Sequence, residues 1–478
     1  MPRLTRRRFV QGTLAAGATF AIAGTKSSGK ILGANETIRA GVTGINGRGS
    51  AHIQELSELK GVQITYLIDV DQRTWDRQIK SVKDKGGNTP TAVQDIRKAL
   101  DDPNLDVVTV ATPNHWHTLV TVWACQAGKD VYVEKPCSHN VHEGRVAVEA
   151  ARKHNRIVQH GTQSRSSSSW AQVAEVIASG KLGKLQVARG LCYKDRRSIG
   201  FKPNATPPPE LDFNIWLGPA PEQPYHENLV HYNWHWFWDM GNGDIGNQGV
   251  HQMDIARWGI PGATLPKSVI SVGGRFGYVD QGQTANTQVT IFDYGDTQLI
   301  FEVRGLPTDK FHDQKVGNIF HLEGGMIAGN RFYPKGSDKP APLPEVAVKR
   351  GPGNGHFGNF IEAVRSRNMA DLNADILEGH YSSALCHLAN ISYRLGQEVP
   401  FNTRSKEFSD NPAASETFAR MEEHLAKENK LKLADTKYRL GRVLKFDAPG
   451  EKFVDDSQAN AMLTRNYRAP FVVPDKIA

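Results

Sequence analysis

Lys135 closes the run Asp130-Val131-Tyr132-Val133-Glu134, which has the length and composition of a buried strand, and Pro136 follows at once. In an open α/β sheet, ligands bind outside the carboxyl ends of the strands, so this ammonium is placed to do chemistry. The proline cannot extend a strand ladder and fixes the backbone where the lysine leaves the sheet. Lysines at such ends are also commonly solvated, and what this one does depends on its company. The second candidate is His251, in Gly243-Asp244-Ile245-Gly246-Asn247-Gln248-Gly249-Val250-His251-Gln252-Met253-Asp254. If Asp244 to Trp258 is helical, Asn247, His251 and Asp254 or Ile255 share one face. His251 could then take a hydroxyl proton while hydride leaves the carbon, and Lys135 could stabilise the oxygen left negative and keep the imidazole neutral. Asn247 can orient a hydroxyl but cannot raise histidine basicity as a carboxylate would, which leaves Asp254 as an orienting carboxylate. A structural histidine on a buried helix fits the same pattern.

The elements that must position these groups alternate strand and helix. Ile38 to Thr43 reads as a strand, Gly44-Ile45-Asn46-Gly47-Arg48-Gly49 as a glycine-rich turn, Ser50 to Leu59 as a helix, and Val62 to Ile68 as a second strand ending at Asp69. That is a dinucleotide-binding βαβ unit: the glycines permit the turn, the helix amino terminus faces pyrophosphate, and the carboxylate accepts from a ribose hydroxyl. Asn46 stands where the usual pattern has its second glycine, with Gly47 beside it; asparagine tolerates positive φ, so the turn survives. Asp69 favours NAD, because a carboxylate repels a 2′-phosphate, while the nearby Arg73 keeps NADP open. Asp106 to Ala111 is a further strand running into Thr112-Pro113-Asn114-His115-Trp116-His117, and Arg156 to His160 leads into Gly161-Thr162-Gln163. The loops lie on one edge, where Gly44, Asp69, Thr112, Asn114 and Lys135 converge, with Arg48, His117, Glu134 and Gln163 as further cofactor candidates. His115 and His117 equally suit solvated positions at a helix start.

This order of glycine turn, Asp69, Ala111-Thr112-Pro113-Asn114-His115-Trp116-His117, Glu134-Lys135-Pro136 and the segment around His251 resembles the Gfo/Idh/MocA oxidoreductases, which include glucose-fructose oxidoreductase and inositol dehydrogenase. The resemblance implies an α/β architecture: a Rossmann domain with a doubly wound parallel sheet, then an α+β domain whose open, mainly antiparallel sheet covers the nicotinamide. It also implies that Lys135 and His251 serve the carbinol being oxidised. The family usually has Asp four residues before this histidine, where this chain has Asn247. The expected boundaries are 35–162 for the dinucleotide domain, 163–400 for the substrate domain with helices in 356–395 packing back on the core, and 401–478 for a carboxyl-terminal extension. Ahead of His251, Trp234-His235-Trp236-Phe237-Trp238 suits either a carbohydrate pocket centred on Trp236 or a buried aromatic cluster. Lys194, Arg196 and Arg197 could bind an acidic sugar or simply face water, and water is the expectation. The implied function is an NAD(P)-dependent oxidoreductase acting on a sugar, polyol or sugar derivative. A redox-neutral glycosidase or lyase, working by transient oxidation, elimination and re-reduction, is the alternative, and a non-catalytic sugar-binding protein the third.

The composition agrees with a globular chain of two domains: 478 residues, 39% hydrophobic and 23% charged. A net charge of +8 spread over 58 basic and 50 acidic residues forms no long basic stripe, which argues against nucleic acid. The four cysteines have no CxxC spacing and the histidines no compact ligand spacing, so neither a disulfide framework nor a metal is expected. Thr5-Arg6-Arg7-Arg8-Phe9, followed by the small-residue core Gly12 to Gly24, reads as a Tat export signal within residues 1–34, too short for a stable membrane span. The extended tail Arg468 to Pro474 suits wrapping of a neighbouring domain or subunit, which leaves a homo-oligomer open.

Overall fold

A computed structural model describes residues 37–477, so the twin-arginine segment lies outside the described residues. Six short strands of β-branched and aliphatic residues form the first sheet: β1 (Ile38–Thr43), β2 (Val62–Ile68), β3 (Thr91–Val93), β4 (Val107–Val110), β5 (Asp130–Val133) and β6 (Val158–His160). They are all parallel, in the order β3-β2-β1-β4-β5-β6, the strand order of a dinucleotide-binding fold. The order reverses between β1 and β4, so their following loops diverge and leave a crevice at the carboxyl edge. The strands are nearly continuous apolar runs because helices cover both faces.

The second sheet begins with β7 (Leu185–Tyr193) and continues with β8 (Ser268–Gly274), β9 (Thr287–Asp293), β10 (Gln298–Arg304), β11 (Val316–Leu322), β12 (Gly325–Ala328) and β13 (Arg331–Pro334). Later strands, β14 (Gln397–Pro400) and β15 (Lys437–Leu440), extend its other edge, in the order β13-β12-β11-β7-β10-β9-β8-β15-β14. All its pairings are antiparallel except β7 with β10. The fold is therefore α/β, a parallel Rossmann sheet joined to a mostly antiparallel one. The Ile376–Arg394 helix packs between the two, against the Val141–Lys153 helix on one side and β8 on the other.

The amino-terminal core is completed by distant residues. The Gly355–Ser366 helix buries Phe357, Phe360, Ile361 and Val364 against Ile38, Val42, Tyr132 and Ile157, with Phe357 stacked on Tyr132 at 4.2 Å between ring centres. Burying each such phenylalanine contributes about 1.5–3 kcal/mol. At the other end of the chain, the tail turns back on its own Rossmann domain, burying Phe471 and Val473 beside Trp116 and Leu119.

One expected element is interrupted. Asp244 to Trp258 is two helices, Gly243–Gly246 and Gly249–Trp258, with the chain turning sharply at Asn247 (φ −87°, ψ −88°). Glycines make the turn possible: a Cβ on Gly246 would lie 2.4 Å from the Asn242 side chain, and one on Gly249 would lie 2.9 Å from the Asp244 carbonyl. Asn247 and His251 are consequently not successive turns of one helix.

Candidate active site

The carboxyl edge of the Rossmann sheet and the second domain enclose a cavity of about 490 Å³. Gly44 begins its floor with φ +80°, and a side chain there would meet the Ala111 carbonyl at 2.6 Å, so the turn lies directly against the loop after β4. Asn46, Gly47 and Arg48 continue the wall. Above Gly47 a Cβ would meet nothing within 4 Å, which leaves open space before the first turn of the Arg48–Glu58 helix. Gly49 is absent from the wall. Its hydrogen faces the Gly44 carbonyl, 2.1 Å from where a Cβ would stand, and it holds the helix against the turn.

Asp69 closes one end of the cavity. Its two oxygens each accept one backbone N–H, from Ile45 at 2.9 Å and Asp71 at 3.0 Å, which leaves lone pairs for a hydroxyl. Burial raises its pKa and those donors oppose the rise. Arg73, the residue that kept a 2′-phosphate open, pairs instead with Asp71 at 2.5 Å and does not reach the wall.

At the opposite end, Glu134 receives Arg48 Nε at 2.8 Å, His52 Nε2 at 3.1 Å and Gln163 Nε2 at 3.3 Å. Burial alone would raise this carboxyl, but the His52 hydrogen bond and the neighbouring cations hold it well below the usual range. His117 spans the loops after β4 and β5, with Nδ1 2.5 Å from the Pro136 carbonyl and Nε2 2.8 Å from that of Thr112. Lys135 Nζ donates to the Asn247 backbone carbonyl at 3.0 Å and to its Oδ1 at 3.3 Å. The helix break is what frees that carbonyl. Burial lowers the Lys135 pKa. His251 stands on the same wall with no hydrogen-bond partner for its ring among the described residues; burial and the Lys135 charge push its pKa down to about 3. Lys135, Asn247, His251, Thr112, Asn114, Glu134 and Gln163 thus share one cavity with the glycine turn.

Two expected substrate residues are not there. Trp236 is buried behind the wall under the Arg196 guanidinium, 5.1 Å from the ring centre, because the Asn233–Trp236 turn points Trp234 and His235 inward instead. Asp254 is fully buried and lies off the cavity wall, its carboxylate bonded not to His251 but to Arg165 Nε at 2.9 Å and Ser382 Oγ at 2.6 Å. Arg196 departs from its expected solvation as well, pairing with the buried Asp244 at 2.6 and 2.7 Å. The wall also takes in Lys194, whose Nζ donates to Gln248 Oε1 at 3.3 Å, and Trp216, His231 and Tyr232. Lys194 follows β7, so the strand-end reasoning that singles out Lys135 also points to it. Nothing local marks Trp216, which reaches the cavity through long-range packing.

The model described as "Oxidoreductase family, NAD-binding Rossmann fold" matches residues 38–162, and the model described as "Oxidoreductase family, C-terminal alpha/beta domain" matches 198–428. The chain belongs to the Gfo/Idh/MocA oxidoreductase family. It is 27% identical over 217 residues to a glycosyl hydrolase family 109 protein of Saccharopolyspora erythraea, covering 41% of this chain and 47% of that one. It is 28% identical over 191 residues to inositol 2-dehydrogenase of Salmonella typhimurium, covering 38% of this chain and 54% of that one. Each match thus spans about half the length of the curated relative. In fold it resembles the WlbA dehydrogenase of Bordetella pertussis, solved with NADH and UDP-GlcNAcA, with a TM-score of 0.56, 18% identity and coverage of 75% of this chain and 97% of that one.

This Gfo/Idh/MocA chain has polar atoms that suit a bound dinucleotide. Thr43 Oγ1, Thr112 Oγ1 and Asn114 Oδ1 are buried on the cavity wall without a protein hydrogen-bond partner, and buried polar atoms are ordinarily paired. With the open space above Gly47 and the accepting carboxylate of Asp69, the wall fits NAD along its length. Among the described residues, no group of His, Cys, Asp or Glu is gathered for a metal, and no helix is long and apolar enough to cross a membrane.

Proposed function

We propose that this protein oxidises an alcohol carbon of a sugar, polyol or sugar derivative with NAD held along the Gly44–Asp69 wall. The observation that carries the reading is a lysine ammonium and an unbonded imidazole facing one cavity beside a dinucleotide-sized groove. Gly47, Thr112, Asn114 and Asp69 hold the cofactor. Bound there, the nicotinamide supplies a two-electron acceptor. Two of the three Lys135 protons point at Asn247, which leaves the third for the carbinol oxygen. His251, kept uncharged by burial and by Lys135, has a free ring nitrogen to receive the hydroxyl proton. His235 offers an aromatic ring to a sugar, and Lys194 and Gln248 offer polar groups at its edge.

The test is to mix purified protein, NAD and a panel of sugars and polyols and to follow the absorbance of reduced nicotinamide. A substrate-dependent rise supports the reading; its absence over the whole panel, with NAD bound, counts against it. The likeness to a glycosyl hydrolase family 109 protein favours a second reading, glycoside cleavage without net redox change. Nitrophenol release from p-nitrophenyl glycosides without added NAD would select it. Export by the Tat route belongs to the same proposal, since NAD is scarce outside the cytoplasm; Arg6→Lys with Arg7→Lys should leave the protein in the cytoplasmic fraction.

A further inference from the structure

The Asp69 end of the cavity is roofed by the second half of the chain. The short Phe213–Leu217 helix sets Ile215 and Trp216 over the groove, and His231, Tyr232 and Trp234 continue the cover. This roof is sewn to the Rossmann domain. Leu211 pairs with Asp71 as a β-bridge, Gln72 N–H donates to the Glu210 carbonyl at 3.1 Å, and Asp212 N–H donates to the Val70 carbonyl at 2.9 Å. His231 Nε2 lies 2.9 Å from Asp71 Oδ2, and Trp116 Nε1 donates to the carbonyls of Ile215 and Trp216 at 3.0 and 3.1 Å.

The tail holds the roof from outside. Arg468 donates from Nε to the Gly218 carbonyl at 3.0 Å, from Nη1 to Asn214 Oδ1 at 2.6 Å and from Nη2 to the Asn214 carbonyl at 2.6 Å. Phe471, buried, packs edge-on against Trp116 with ring centres 5.4 Å apart. Trp116 is thereby wedged between the tail and Gly218, where a side chain would meet its ring at 2.3 Å. No step of the proposed chemistry uses Arg468 or Phe471, yet both are built into the contact that keeps the groove covered.

We propose that Arg468 and Phe471 form a clasp that locks the Asp212–Gly218 roof over the adenosine half of the dinucleotide and sets the rate at which it leaves. A ligand under a fastened cover departs only when the cover opens, so fastening acts on the dissociation rate. The inference rests on the NAD reading of the cavity and adds a device that retains the cofactor between turnovers.

The test uses the full chain loaded with unlabelled NAD, then mixed with excess radiolabelled NAD and passed over a desalting column at intervals. Wild type is expected to exchange slowly. Arg468→Ala and Phe471→Ala are each expected to exchange at least about tenfold faster, with Phe471→Leu in between. Should Phe471→Ala fail to fold by circular dichroism, Arg468→Gln, at a half-exposed side chain, serves in its place. Folded Arg468 variants exchanging at the wild-type rate overturn the clasp, as does a wild type that exchanges as fast as its variants. A protein that takes up no NAD at all overturns the cofactor reading instead, and the two failures are told apart by whether label is ever bound.

Discussion

Lys135 Nζ is shared between the two oxygens of Asn247, 3.0 Å from the backbone carbonyl and 3.3 Å from the side-chain amide. A strand end in one domain is thereby tied to a helix break in the other, 112 residues further along the chain. The bond aims the ammonium and leaves one of its protons unassigned.

Lys135→Ala and His251→Ala are each expected to lower kcat by about 10²–10⁴, the usual contribution of a positioned proton-transfer or charge-stabilising group. NAD binding should persist in both, read from quenching of tryptophan fluorescence. Two variants whose kcat stays within about tenfold of wild type would sink the assignment of roles.

The alkaline side of the pH profile follows Lys135. The group acts in its charged form, so activity holds below its pKa and is lost as pH rises through it; burial places that limb below the ordinary lysine value. Asn247→Asp brings an opposite charge to the ammonium and should move the limb upward by about one unit or more. A limb of kcat/KM that does not move, or moves down, contradicts the contact.

Acid should weaken the fold through its buried histidines. His115, His160, His235 and His387 are buried, and burial pushes each down to about 3. Between that value and the unfolded value near 6.5 the unfolded chain binds more protons, so stability falls as pH falls. The slope is up to about 1.4 kcal/mol per pH unit for each histidine. Urea titrations at neutral pH and near pH 5 measure it; equal stabilities would contradict the buried, neutral histidines.

Arg196→Ala strands Asp244, which is nearly inaccessible to solvent, without its cation. The expected loss is about 3–5 kcal/mol, as for a broken buried pair. Replacing both partners with apolar residues, Arg196→Met with Asp244→Leu, should recover most of it. Chemical denaturation of the single and double variants gives the comparison, and an unchanged midpoint for Arg196→Ala would refute the pair's importance.

The Rossmann half was legible because its signals are local. The short apolar runs, the glycine turn and the strand-end positions of Asp69, Thr112 and Lys135 all follow from neighbours in sequence, and the turn and those strand ends come out on the cavity wall. The site residues contributed by the other half were less legible. Asp244 to Trp258 has helical patterning throughout, and only the flanking Gly246 and Gly249 hinted at a break at Asn247. Asp254 was misplaced because its partner Arg165 is 89 residues away. Trp236 was misplaced because adjacent aromatic residues carry no sign of which one a tight turn will point inward.

The Gly355–Ser366 helix has a last consequence, for the autonomy of the parts. Phe357 and Phe360 cover an apolar face made by Ile38, Val42 and Tyr132, more than two hundred residues earlier. A fragment ending at residue 162 carries all six Rossmann strands but leaves that face wet. The nucleotide-binding half is therefore not a transplantable module: grafted elsewhere, it must bring this helix with it.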